Sequence, residues 1–312
     1  MAGVTEVLSP SKIRTRRPRI KETRPIWVGK PPAIVQALKI IVIVAITVLM
    51  LYPFLNVIAV SLADSAEVDF GGLLPRVFSV EAYASILRGG IVTRALLVSI
   101  GVTVIGTACS MVATSMMAYG LTRTADLPGM RVILYLALFT MLFGAGMIPN
   151  FLLIKSLGLL DSYAAMILPG LISAFNLVVL RNFYLQLPRE LIEAARIDGC
   201  NDRQIFTSIV LPLSKAVSAV IALFYAVGYW NTFFTALLYI NDSTKWPIQL
   251  VLNLYVVQGS PMPQIEDPNH TPPQPESVQM AVVVLAVLPI LLVYPFLQKY
   301  FTKGVLTGAI KG

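Results

Sequence analysis

The side chains best suited to chemistry gather in one apolar run: Tyr225, Tyr229, Trp230 and Asn231, with Phe233 and Phe234 just beyond. Aromatic rings offer a flat apolar face to the C–H groups of a pyranose. Asn and Tyr can exchange hydrogen bonds with hydroxyls inside a water-filled cavity. The chemistry on offer is recognition of a sugar rather than bond cleavage. The same residues also fit ordinary packing or an aromatic belt at a membrane interface, and spacing alone leaves these readings open. Catalysis has little to work with. His270, the one histidine, lies in a proline-rich stretch without ligand spacing, so neither a metal centre nor histidine acid/base chemistry is expected. No H-E-x-x-H and no G-x-x-x-x-G-K-[ST] occurs, so any ATP chemistry must belong to a partner. The apolar runs hold no Asp or Glu, which weakens an ion-coupled secondary transporter, although backbone-carbonyl sodium sites stay open.

A second constellation is polar and lies between two long apolar runs, from Glu193-Ala194-Ala195-Arg196-Ile197-Asp198-Gly199 to Ile209-Val210-Leu211-Pro212. Pro188 is expected at a first helical position, where its missing N–H costs little. Glu190 and Glu193 follow near the positive end of the helix, and Gly199 supplies a left-handed stop. Asn201, with Gln204 three residues on, forms a capping box for a second helix whose Phe206, Ile209 and Val210 share a face. Pro212 closes it. Two short helices on a glycine elbow make a compact knob, in which the small Ala194 and Ala195 allow close approach by another protein. A pair of amphipathic helices lying on a bilayer is the alternative.

Composition says what must position these groups. The 312 residues are 56% hydrophobic and only 13% charged, with mean hydropathy +0.76, whereas soluble domains carry about 25% charged residues. An all-α, polytopic membrane protein is expected, with room for about six spans of roughly 20 residues. The expected spans are Gln36–Leu62, Ile91–Gly120, Val132–Ile148, Tyr163–Tyr184 with an interruption at Pro169-Gly170, Ala216–Ile240 and Val278–Leu297. The first is too long for a signal-peptide core. Formal charge is +8, but Arg14, Arg16, Arg17, Arg19, Lys21 and Arg24 cluster ahead of the first span. That is the pattern of cytoplasmic anchoring at a lipid bilayer, not of nucleic-acid binding. Arg181, Arg189, Arg196, Arg203 and Lys215 mark the knob as cytoplasmic in the same way, and both termini fall on that side. The exported loops carry Asp64, Glu67, Asp69 and Glu81, and later a proline-dense excursion after a surface helix at Pro247. Cys109 and Cys200 sit at different depths and are expected as free thiols.

The spacing E-A-A-x3-G-x9-I-x-L-P resembles, position for position, the loop by which permease subunits of bacterial ABC importers dock onto their ATPase. The likeness to the MalG-type subunit of carbohydrate importers extends over nearly all the membrane portion, through G-M-I-P at 146–149, W-N-x-F at 230–233 and P-I-Q-L at 247–250. The ending, Tyr294 to Phe301 and Gly304 to Gly312, is similar to the branch handling aldouronate or alginate oligosaccharides. Many relatives carry an acidic residue at the position of Thr232 and a basic one near Asn253, so this chain departs from the pattern there.

The resemblance implies a type I ABC importer permease fold in the bacterial inner membrane. Its parts would be a basic tail at 1–33, a six-span domain at 34–303 and a cytoplasmic tail at 304–312. The six-span domain would include a docking loop at 186–215 and an exported loop at 241–277. It implies half of a translocation path, for which Tyr225, Tyr229, Trp230 and Asn231 are the candidates. The implied docking residues are Glu193, Ala194, Ala195, Asp198, Gly199, Phe206, Ile209, Leu211 and Pro212. Implied partners are a second permease, forming a heterodimer, an ABC ATPase dimer that holds ATP and magnesium, and an extracytoplasmic sugar-binding protein reached by the loop between the last two spans. An ABC permease for a non-sugar solute shares the docking pattern.

Overall fold

The computed structural model describes residues 32–63, 77–123, 128–258 and 275–309. The expected basic tail, most of the acidic loop after the first span, the proline-dense stretch with His270 and the last three residues lie outside them. The chain divides between Tyr52 and Pro53. Among the described residues the first unit contains most of helix α1 (Ala33–Ser61), an apolar helix in which Thr47 returns its hydroxyl to the carbonyl of Ile43 at 2.7 Å.

The second unit is organised on α3 (Ile91–Gly120), which follows a short helix α2 (Glu81–Gly89). At 30 residues, α3 is about 45 Å long, more than the roughly 30 Å of bilayer hydrocarbon. It packs mainly against α7 (Ala174–Leu185) and α10 (Lys215–Trp230). Its small and hydroxyl residues Gly106, Ser110 and Thr114 are buried against α10, and Ser99 accepts from the Ile248 amide at 2.8 Å, while Leu97, Val104, Ile105 and Val112 point outward. Small residues let apolar helices approach closely without a hydrophobic driving force between them.

Among the described residues three helices are long and apolar enough to cross a membrane: Ala33–Ser61, Ile91–Arg123 and Pro275–Val293. Two bent pairs raise the number to five if each is one span. In one, α6 (Tyr163–Ile167) and α7 meet at 51° around the turn Leu168–Gly170, the interruption that Pro169-Gly170 predicts. In the other, α9 (Asp202–Leu213) meets α10 at 83°.

The expected third span, Val132–Ile148, is not one helix. Helix α4 (Met130–Leu142) stops at an extended Phe143, and after Gly146 at φ +86° a new helix, α5 (Met147–Ser156), occupies what reads in the sequence as loop. Nor is Ala216–Ile240 continuous. The chain leaves α10 at Trp230, turns through 231–233 and restarts as α11 (Phe234–Tyr239). The helix expected on the surface after Pro247, α12 (Ile248–Val257), instead buries Ile248, Leu250 and Val251 against α3 and α13 (Pro275–Ala309). Helix α13 runs on well past the expected end at Leu297.

Candidate functional site

The knob forms from local rules. Pro188 is extended, at φ −55° and ψ 123°, so it caps rather than opens α8 (Arg189–Ile197), and Glu190 takes the first turn. At the far end Gly199 adopts φ +84°. The amide of Cys200 bonds the carbonyl of Ala195 at 2.9 Å and that of Gly199 bonds Arg196 at 3.0 Å, the paired closure of a Schellman stop. A Cβ at Gly199 would meet nothing within 4 Å, so the elbow needs glycine for its backbone conformation and not for space. The capping box is complete: Gln204 N–H donates to Asn201 Oδ1 at 2.9 Å, and Asn201 N–H to Gln204 Oε1 at 2.8 Å. Helix α9 then widens into a π turn over Phe206–Val210 and ends just after Pro212.

The two alanines part company. Ala195 is buried with Ile205 and Val210 against Ala118, Leu121, Leu177, Leu180 and Tyr184, so it seats the knob on its own chain. Ala194 is exposed, in company with Glu190, Glu193, Asp198 and Ile197, the last 86% exposed. Phe206 and Ile209 are half-buried against the same cluster, and Phe206 lies 5.1 Å from the ring of Tyr119. Leu211 is half-buried and Pro212 exposed. The open face is therefore the α8 side of the elbow. A polar tie fixes the knob's other edge. Both terminal nitrogens of Arg123, in the turn Leu121–Arg123, bond the two oxygens of Asp202, one at 2.6 Å. The guanidinium holds the Asp202 carboxyl below its usual range.

Sugar-path candidates are placed differently from one another. Tyr225, Tyr229 and Trp230 are buried. Tyr225 Oη accepts from the Ser173 amide at 2.9 Å and shares a proton with Thr114 at 2.7 Å. Tyr229 Oη donates to the Ile167 carbonyl at 3.2 Å, which leaves Ser110, at 2.8 Å, to donate in return. Ile167 and Ser173 flank the break between α6 and α7, so these two phenols satisfy backbone groups that the interrupted helix leaves without partners. Gly106 permits this approach: a Cβ there would stand 2.9 Å from the Tyr229 ring. Trp230 donates to the Ala286 carbonyl at 3.2 Å. Asn231 alone of the four is exposed, its amide returned to Val227 O at 2.9 Å.

One feature at the other end of α3 has no signature in the sequence. Asp161, at φ +60°, accepts from the amides of Asn241 and Asp242 at 2.5 and 3.0 Å, while Lys245 Nζ donates to its carbonyl at 2.9 Å. Those amides hold its carboxyl below the usual range. Residues about 80 apart in the chain meet here, and nothing local announces it. Among the described residues no group of three or more His, Cys, Asp or Glu could hold a metal. Cys109 is an exposed and Cys200 a half-buried free thiol.

Residues 31–307 match the family model described as binding-protein-dependent transport system inner membrane component. The chain is 54% identical to the polygalacturonan/rhamnogalacturonan transport system permease protein YtcP of Bacillus subtilis, over 83% of this chain and 92% of that protein. It is 49% identical to protein LplC of the same organism, over 86% and 90%. Its fold superposes with a TM-score of 0.80 on a chain of a bacterial ABC transporter involved in import of the acidic polysaccharide alginate, at 29% identity, covering 88% of this chain and 99% of that one. The chain belongs to the family of inner-membrane permease components of binding-protein-dependent transport systems.

Proposed function

We propose that this chain is one of two permease subunits of an ATP-driven importer of oligosaccharides, with uronate-containing chains as the preferred cargo. The observation that carries the reading is the knob. A main-chain-locked elbow presents Glu190, Glu193, Ala194, Ile197 and Asp198 outward, with the rest of the E-A-A-x3-G-x9-I-x-L-P pattern building the fold beneath. Glu193, Ala194, Asp198 and Gly199 form the contact with an ABC ATPase, whose dimer binds ATP and magnesium. Ala195, Phe206, Ile209 and Leu211 support it from within, and Pro212, exposed, lies near the end of the second helix.

The chain crosses the membrane six times, with Met130–Ser156 as the interrupted third crossing and both termini cytoplasmic. Its partners are a different permease and an extracytoplasmic binding protein that meets the loop between α12 and α13. Cargo preference follows two relatives named for acidic polysaccharides, polygalacturonan and alginate. Asn231, exposed beside the buried aromatics, is the candidate of the four to touch sugar. Tyr225, Tyr229 and Trp230 hold the frame around it.

Mild-detergent purification from the native membrane, with mass spectrometry of what accompanies the chain, tests the assembly. An ABC ATPase, a second permease and a binding protein are expected. Proteoliposomes of that assembly should take up galacturonate trisaccharide on ATP and not on an ion gradient. A chain that comes down alone while uptake follows an ion gradient would overturn the reading. Uptake of amino acids but of no saccharide would overturn the cargo.

A further inference from the structure

The ion pair between Arg123 and Asp202 uses none of the fixed residues of the docking pattern, yet it occupies a polar seam between the knob and the turn that ends the long helix α3. Arg123 is confined there from several sides. Its side chain is 17% exposed against 59% for Asp202. One terminal nitrogen reaches Tyr119 Oη at 2.8 Å as well as Asp202 Oδ1 at 2.6 Å, and the guanidinium carbon lies 5.1 Å from the Tyr119 ring centre. Tyr119 in turn touches Phe206 in the π turn of α9. The turn bearing Arg123 is held from α7, where Arg181 Nε donates to Leu121 O at 2.8 Å.

Elsewhere the knob is joined to the chain through the apolar cluster around Ala195, Ile205 and Val210. Apolar contact is non-directional and tolerates sliding. A planar guanidinium fork on a carboxylate admits one orientation. Asp202 is the first residue of α9, so a rotation of the knob pulls directly on the fork. Beyond Arg123, α3 carries the hydroxyls of Ser110 and Thr114, which meet Tyr229 and Tyr225 at the break between α6 and α7. A continuous set of contacts thus leads from docking knob to interrupted span.

We propose that Arg123 is a positioning residue of transport: its two-pronged ion pair with Asp202 makes the docking helices and α3 move together, and so carries ATPase movement to the break in the α6–α7 span. The inference rests on the docking reading above.

The test follows amide hydrogen exchange in the complete importer in nanodiscs, with and without ATP plus vanadate, at two places: residues 189–213 and the break at 168–173. In wild type both should change with nucleotide. In Arg123→Gln and in Asp202→Asn, which spares the Asn201–Gln204 capping box, the change at 189–213 should persist while that at 168–173 falls at least about three-fold. Arg123→Lys, keeping charge without the fork, should fall between. The exchanged pair Arg123→Asp with Asp202→Arg should restore part of the response, incompletely because a cation is disfavoured at a helix start. A wild-type response at the knob but none at the break overturns the inference, as does an undiminished response at the break in either single variant. No response at 189–213 in wild type, or no ATPase in the complex, instead removes the docking reading on which it stands.

Discussion

Replacing glycine by alanine at two places on α3 should move stability in opposite directions. In an open helical site alanine gains about 0.8–1 kcal/mol over glycine. Gly101 is such a site, because a Cβ there meets nothing within 4 Å. At Gly106 the added Cβ would lie 2.9 Å from three ring atoms of Tyr229. That ring cannot simply step aside, since its hydroxyl is tied to Ser110 and Ile167. Overpacking costs about 1–3 kcal/mol, and each intramembrane hydrogen bond lost adds about 0.6 kcal/mol. Set against the helix gain of about 1 kcal/mol, the balance for Gly106→Ala is a loss of roughly 1–3 kcal/mol. Unfolding of the detergent-solubilised chain in increasing SDS, followed by helical circular dichroism, reads both variants on one scale. In a Tyr229→Ala background, where the obstructing ring is gone, Gly106→Ala should no longer cost stability. The reasoning fails if Gly106→Ala proves as stable as Gly101→Ala.

Three other expectations can be checked directly. Gly199→Val should insert normally but uncouple ATP hydrolysis from uptake, since a β-branched residue in a left-handed conformation costs about 1–2 kcal/mol. Gly199→Asn should retain most coupling, and equal uptake by the valine variant would refute the elbow. Tyr225→Phe leaves the Ser173 amide and Thr114 hydroxyl without this partner, and should lower SDS stability by about 0.6–1.7 kcal/mol. Asp161 has its pKa depressed by the Asn241 and Asp242 amides, so its staple is fully present above the ordinary value of about 3.9 and is lost as pH falls through the lower folded value. Exchange protection of those two amides should therefore hold from about pH 8 to about pH 5, and Asp161→Ala should abolish it at every pH. Loss of protection already near pH 6 would show that another group holds the loop.

Most of the knob could be read directly because each part of it is local. The hydrogen bonds around Gly199, Asn201 and Gln204 span three to five residues, and they appear as the residue types predict. The interruption at Pro169-Gly170 was equally legible. What sequence could not supply was which side of a helix meets the protein. Ala194 and Ala195 are chemically identical neighbours, yet α8 turns one outward and the other into the cluster around Leu177 and Leu180. The aromatics of α10 left two readings open in a similar way, for a tyrosine suited to a sugar hydroxyl is equally suited to a stranded peptide group. The breaks at 143–146 and 231–233 were hidden inside apolar runs, where hydropathy continues while the backbone does not. Gly144 and Gly146 were the available sign. Helix α2 lay in a stretch read only for its charge, although Ser79 Oγ accepts from the amide of Glu81 at 3.2 Å at its start.

The Schellman stop and the capping box hold the elbow with main-chain groups and with two side chains of the second helix. The side chains of Glu190, Glu193, Ala194 and Ile197 take no part in that closure and face away from the cluster that seats it. Shape and surface are thereby assigned to different residues. On the docking reading proposed above, the outward face could be rewritten to suit another partner while the elbow beneath keeps its form, so a change of partner would be a matter of a few exposed side chains and not of refolding.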